Sequence, residues 1–200
     1  MELNVTGWKS STSKIFNGVL LFSLAGIVGG IFAAIAALSG SLGGALWIGV
    51  LTGIATILGY VLYIMGLGEL QSMLEGEDAS SISKVKTAAI LLIIGAAVSI
   101  IFAIVPFVGV LVGSIISGIL NLVGCILCVL AFSALKKSTT FPESARGGVS
   151  KLFTAYVLYL VNYGLLLTVI LAVVAPIISL IAFIMMIIGW SNVKNAEPGK

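Results

Sequence analysis

Long uncharged apolar runs alternate with short polar segments along the chain. The runs cover 15–38, 42–67, 87–105, 106–135, 152–174 and 176–193. A helix needs about 20 residues to cross the hydrocarbon layer of a bilayer, and the first five runs predict such helices. The fourth run contains a turn at Pro106 before its helix. The sixth is the shortest and spans if it stands upright or if the bilayer thins around it. None of the runs alternates polar and apolar residues, so barrel strands are not expected. Lys9 and Lys14 ahead of the first run, with Ala34-Ile35-Ala36 inside it, resemble a secretory signal. The apolar core is too long for one, so a retained helix is expected.

Charge sets the expected topology. The chain has ten Lys and Arg residues, seven Asp and Glu residues and a net charge of +3. All of them lie in the N-terminus, in 68–86, in 135–151 or in the C-terminus, and the turns near 39–44, Pro106 and Pro176 carry none. Six spans put the four charged segments on one side and the three bare turns on the other, and the basic excess marks the charged side as cytoplasmic. The expected fold is an all-α integral membrane protein of six transmembrane helices, arranged as three sequential hairpins with both termini inside. It forms one membrane domain over 1–200, with hairpins at 15–67, 87–135 and 152–193 and cytoplasmic loops at 68–86 and 136–151. The expected location is the cell membrane, which is the inner membrane in a Gram-negative bacterium.

The hairpins read as parallel internal repeats. Leu46, Gly53, Ile54, Gly59, Leu62, Leu70 and Lys86 align without a gap on Leu111, Gly118, Ile119, Gly124, Leu127, Leu135 and Lys151. Ser13-Lys14-Ile15, Ser83-Lys84-Val85 and Ser150-Lys151-Leu152 repeat one theme at the starts of the odd runs. The serine is expected to cap the next helix and the lysine to reach the headgroups. Three hairpins of one orientation would be related by an axis along the membrane normal.

Composition removes several function classes. With 60% hydrophobic and 8% charged residues, the chain has too little charge for a water-facing surface. Histidine is absent, which removes the commonest general base and metal ligand. No acidic or basic side chain sits within any run, whereas ion-coupled transporters and most intramembrane enzymes generally need one. No phosphate-binding loop and no nucleophile–base pair can be assembled. No cofactor is expected, and the small net charge gives no reason to expect a nucleic-acid partner.

Two polar constellations stand out. Ser114, Ser117, Asn121, Cys125 and Cys128 share one face of the fourth helix, and their partners in the second helix are Gly49, Thr52, Thr56, Tyr60 and Tyr63. Ser179, with Ala172 and Ala175, echoes the stripe in the sixth. Such a stripe avoids lipid and faces either a packed seam or a wet cavity. The glycine pairs Gly26/Gly30, Gly49/Gly53 and Gly109/Gly113 favour a seam, with Gly53 and Gly118 as close-contact positions. The second constellation is Tyr156, Tyr159, Asn162 and Tyr163 on the fifth helix, which suits aromatic packing or a small-ligand pocket. Cys125 and Cys128 have no charged neighbour in sequence and read as space filling rather than redox chemistry. Glu75, Glu77 and Asp78 read as a solvated charge run.

The expected function is therefore non-enzymatic: an assembly or accessory component with the lipid bilayer, a second copy or another membrane protein as partner. The alternative is a passive channel or carrier for a neutral or lipid-like solute, lined by the stripe. A cavity bordered by Thr56, Asn121 and Ser179 would separate the second from the first.

Overall fold

The computed structural model describes residues 4–103, 108–166 and 174–198. It is all-helical, with no strand among the described residues. The helices are α1 Val5–Leu38, α2 Leu42–Ser72, α3 Gly76–Ala103, α4 Val108–Lys137, α5 Glu143–Leu166 and α6 Ala175–Lys194. The expected turn at Pro106 and residues 167–173, at the far end of the fifth run, lie outside the described residues. α1, α2, α3, α4 and α6 are each long and apolar enough to cross a membrane. The described part of α5 opens on Glu143, Arg146 and Lys151, and its apolar run continues in the sequence beyond Leu166.

The helices are longer at the charged end than the apolar runs. Of residues 68–86 only 73–75 fall outside a helix, and of 136–151 only 138–142 do. Ser13, Ser83 and Ser150 therefore sit inside helices and do not cap them. α1 is capped by Asn4, whose Oδ1 accepts from the amides of Thr6 and Gly7 at 3.1 and 3.2 Å. Gly76 opens α3 at φ +56°, a left-handed conformation that glycine takes without a steric cost. Gly40, at φ +75°, turns the chain between α1 and α2, and Ser41 Oγ accepts from the Gly44 amide at the start of α2.

Each even helix runs back along the odd helix before it, so the charged segments gather at one end. α1 closes on α6, and the six helices form a ring. The antiparallel pairs are drawn together by absent side chains. A Cβ on Gly18 would stand 2.6 Å from the Gly59 carbonyl oxygen, and one on Gly66 2.7 Å from the Ser11 carbonyl oxygen. In the third pair, a Cβ on Gly148 would stand 2.6 Å from the Gly189 carbonyl oxygen. The glycines singled out in the sequence behave differently: at Gly26, Gly30, Gly53 and Gly118 a Cβ would meet nothing within 4 Å. Helical period gives their spacing along the helix, but none of them is a close contact with a neighbouring helix.

The packed core lies at the charged end. Trp8, Phe132, Phe141, Leu67, Leu70 and Trp190 are among its fully buried side chains. Trp8 Nε1 donates to the Val193 carbonyl at 3.1 Å, and its ring lies 5.6 Å from that of Phe141. Asp78 departs from the expected solvated run. It is only 3% exposed, and its carboxylate accepts from Thr140 Oγ1 at 2.6 Å, which ties the segment after α4 to the start of α3. Toward the bare end the helices expose large apolar side chains, including Ile27, Ile31, Leu51, Ile115 and Ile119.

Candidate functional site

At the inner limit of that core all six helices border one cavity. Its volume is about 190 Å³, and it is lined by Phe22 of α1, Tyr60 and Tyr63 of α2, Leu92 of α3, Asn121, Gly124, Cys125 and Cys128 of α4, Tyr156, Tyr159 and Tyr163 of α5, and Met186 of α6. The lining contains no acid, lysine or arginine.

Aromatic rings build most of the wall. Phe22 stacks on Tyr60 with centroids 4.5 Å apart and meets Tyr63 edge-on at 5.9 Å. Tyr63 meets Trp190 at 5.9 Å, Trp190 meets Phe132 at 5.9 Å, and Phe132 stacks on Tyr156 at 5.5 Å. Tyr156 meets Tyr159 at 6.0 Å. Contacts of this kind contribute about 0.5–1.5 kcal/mol each beyond area burial, so this chain of rings stiffens the wall across α1, α2, α4, α5 and α6.

The polar groups of the wall are few. Tyr63 is 3% exposed and its hydroxyl has no hydrogen-bond partner of ordinary geometry; Cys128, Tyr156 and Trp190 are the polar side chains around it. Cys125 Sγ donates to the Tyr156 carbonyl at 3.2 Å, and Tyr156 Oη approaches Met186 Sδ at 4.0 Å. Asn121 Nδ2 reaches Ser117 Oγ at 3.4 Å, a long contact for a hydrogen bond. Both thiols are free and buried. Among the described residues no group of histidine, cysteine and acid could hold a metal ion.

The structure merges parts of the two sequence constellations and separates the rest. Tyr60, Tyr63 and Asn121 meet Tyr156, Tyr159 and Tyr163 at the cavity. Thr52 and Thr56 are turned onto their own helix, where their hydroxyls donate to the Ile48 and Thr52 carbonyls at 2.8 Å. Thr52 also fills the space left by Gly29, where a Cβ would stand 2.1 Å from Thr52 Cγ2. Ser117 packs toward α3, its Oγ standing 3.4 Å from a Cβ built on Gly95. Ser114 is exposed with a polar partner of its own. Asn162 leaves the tyrosine cluster and donates to Ser179 Oγ at 2.9 Å across the α5–α6 seam. This cavity is thus bordered by Asn121 but by neither Thr56 nor Ser179, while Ser179 lines an adjoining hollow that shares Phe22, Tyr159 and Met186 with it. Phe22, Leu92, Gly124 and Met186 complete the lining and carry no polar signal in the sequence.

Compared with protein-family models, with curated proteins and with solved structures, the chain matches none. The fold and site define a class only: a ring of six helices, five of them able to span a membrane, around one uncharged aromatic cavity.

Proposed function

We propose that the chain is a six-span membrane protein of three parallel hairpin repeats, with both termini cytoplasmic, that binds one neutral, lipid-like molecule in its central cavity without catalysing a reaction on it. The repeat is supported by the register of buried positions. Ser11, Ser81 and Gly148, each three residues before Lys14, Lys84 and Lys151, are buried, and so are Ile15, Val85 and Leu152, each one residue after them. On the even helices the buried triplets are Gly59, Gly124 and Ala182, then Tyr63, Cys128 and Met186, then Leu70, Leu135 and Val193. The intervals agree from helix to helix, as expected of one hairpin used three times. The topology is supported by the gathering of every described charged segment at one end.

One observation carries the binding reading: equivalent positions of all three repeats converge on the same cavity. Phe22, Leu92 and Tyr159 follow Lys14, Lys84 and Lys151 at equal distance, and all three line it. Tyr63, Cys128 and Met186 line it as well. Because all three hairpins border the void, none of them can fill it alone. The uncharged aromatic wall suits a neutral guest, because a buried charge without a partner would be expensive there. The core at the charged end supports a blind binding cavity rather than an open pore.

A second reading, an accessory subunit, is favoured by Gly26, Gly30, Gly53 and Gly118, whose open surroundings leave room for a partner helix.

The test is thermal stability in lipid nanodiscs against a panel of neutral amphiphiles: long-chain alcohols, monoacylglycerols and prenylquinones. A guest at 100 times its Kd stabilises by about 2.7 kcal/mol. At least one class is expected to raise the melting temperature of the native chain and not that of Asn121→Phe, in which the cavity is filled. If no class distinguishes the two proteins, the cavity is not a binding site.

A further inference from the structure

The central cavity shares a wall with a second hollow. Phe22, Tyr159 and Met186 line both, and the second, of about 510 Å³, continues between α1 and α6 past Gly26, Leu180 and Phe183. Among the described residues, α1 and α6 approach each other along less of their length than the other neighbouring pairs of the ring. Gly26 keeps this passage clear, since a Cβ there would meet nothing within 4 Å. In a membrane-spanning ring this seam opens onto acyl chains, so lipid is the medium in direct contact with it.

The sizes of the two hollows constrain the guest. A cavity of about 150 Å³ accommodates one benzene molecule. The central cavity, at about 190 Å³, therefore takes a single six-membered ring and not a whole lipid. Any tail must leave through the shared wall. The wall also selects the chemistry of the ring. Phe22 and Tyr60 already stack in parallel beside the void, an arrangement that extends to a further flat ring. Tyr63, 3% exposed, holds a hydroxyl that makes no hydrogen bond of ordinary geometry to the neighbouring Tyr156 and Trp190, so a well-placed acceptor brought to it improves its bonding. Among the described residues, the Asn121 amide makes one long contact, to Ser117. Both groups can donate, and no cation is present to hold an acidic head.

Resting on the reading of the central cavity as a ligand site, we infer that the two hollows form one lateral site for a neutral lipid with a single-ring, hydrogen-bond-accepting head of the prenylquinone class. The ring lies against Tyr63 and the tail between α1 and α6.

The probes are decylbenzoquinone, the same quinone without its tail, and decanol as a tail without a ring. Quinones quench indole emission, and Trp190 lies 5.9 Å from the Tyr63 ring. Binding is read in nanodiscs as the quenching present in the native chain and lost in Trp190→Phe. Decylbenzoquinone is expected to quench saturably, and decanol to compete at least tenfold more weakly. Tyr63→Phe should weaken the quinone about tenfold. Gly26→Phe, which plugs the passage, should weaken the tailed quinone at least tenfold and leave the tail-less one unchanged. If Gly26→Phe does not fold, Leu180→Trp blocks the same passage, with its own emission subtracted through a matched Trp190→Phe background. Quenching that rises without saturation overturns the inference. So does equal loss of both quinones on plugging, or decanol binding as well as the quinone. If decanol alone stabilises the chain, the ring assignment fails while the central cavity stands as a lipid site. If no probe binds, both fail.

Discussion

Gly18 and Gly59 face each other across the α1–α2 seam with no side chain between them: a Cβ on Gly18 would stand 2.6 Å from the Gly59 carbonyl oxygen, and one on Gly59 would stand 2.9 Å from the Gly18 carbonyl oxygen. Backbone meets backbone here, so a larger residue cannot be accommodated by moving a flexible side chain. Gly59→Leu and Gly18→Leu are expected to cost about 3 kcal/mol or more, at the upper limit of overpacking effects. Gly53→Leu and Gly118→Leu, where a Cβ meets nothing within 4 Å, should stay within about 0.5 kcal/mol of the native chain. Thermal melting in detergent measures the difference, and equal losses at all four positions would contradict this packing.

The buried carboxylate of Asp78 and the hydroxyl of Thr140 lie 2.6 Å apart and join two segments distant in sequence. Hydrogen bonds to charged groups contribute about 1.5–3 kcal/mol. Thr140→Val should destabilise by about 2 kcal/mol, because the carboxylate loses a donor while remaining buried. Asp78→Asn keeps an acceptor for Thr140 and should cost less. The reverse order in urea or thermal unfolding would show that charge, and not this bond, matters at the site.

Asn162 and Ser179 provide a test of the α5–α6 seam. Interhelical hydrogen bonds in membranes average about 0.6 kcal/mol. Asn162→Leu removes both the amide and its need for a partner, so melting should change by less than about 1 kcal/mol. Ser179→Ala leaves the Asn162 amide without its acceptor, while its Oδ1 already has no partner. It should therefore cost more than Asn162→Leu. A larger loss in Asn162→Leu would indicate a role for Asn162 beyond this pair.

The proposed topology gives a direct labelling pattern. Single cysteines at Ser80, Thr139 and Asn195, all exposed, should react with a membrane-impermeant maleimide from the cytoplasm only, in a background with Cys125 and Cys128 replaced by Ala. A cysteine at exposed Ser41 should react only from outside. Labelling of Ser80 and Thr139 from opposite sides would break the six-span arrangement.

The amino-acid sequence by itself determined the apolar helical runs and the sorting of charge, but not how far the helices extend at the charged end. Uncharged apolar runs and the positions of Lys, Arg, Asp and Glu are local properties, and they dictate helix and end without reference to any neighbour. The cavity's outline was partly legible too. Tyr60 and Tyr63 matched Cys125 and Cys128, and the lysines at 14, 84 and 151 put Phe22, Leu92 and Tyr159 in equivalent places, although Phe22 and Leu92 carry no polar group to draw attention. Only the tertiary structure decided which glycines are contacts, because that depends on how far each helix is rotated about its own axis. The same rotation separates Gly59 from Gly53. It also turned Thr52 and Thr56 onto their own carbonyls, gave Asn162 to Ser179 rather than to the tyrosines, and buried Asp78 beneath Thr140. A helical period shows which residues share a face; which neighbour that face meets is set by packing all six helices at once.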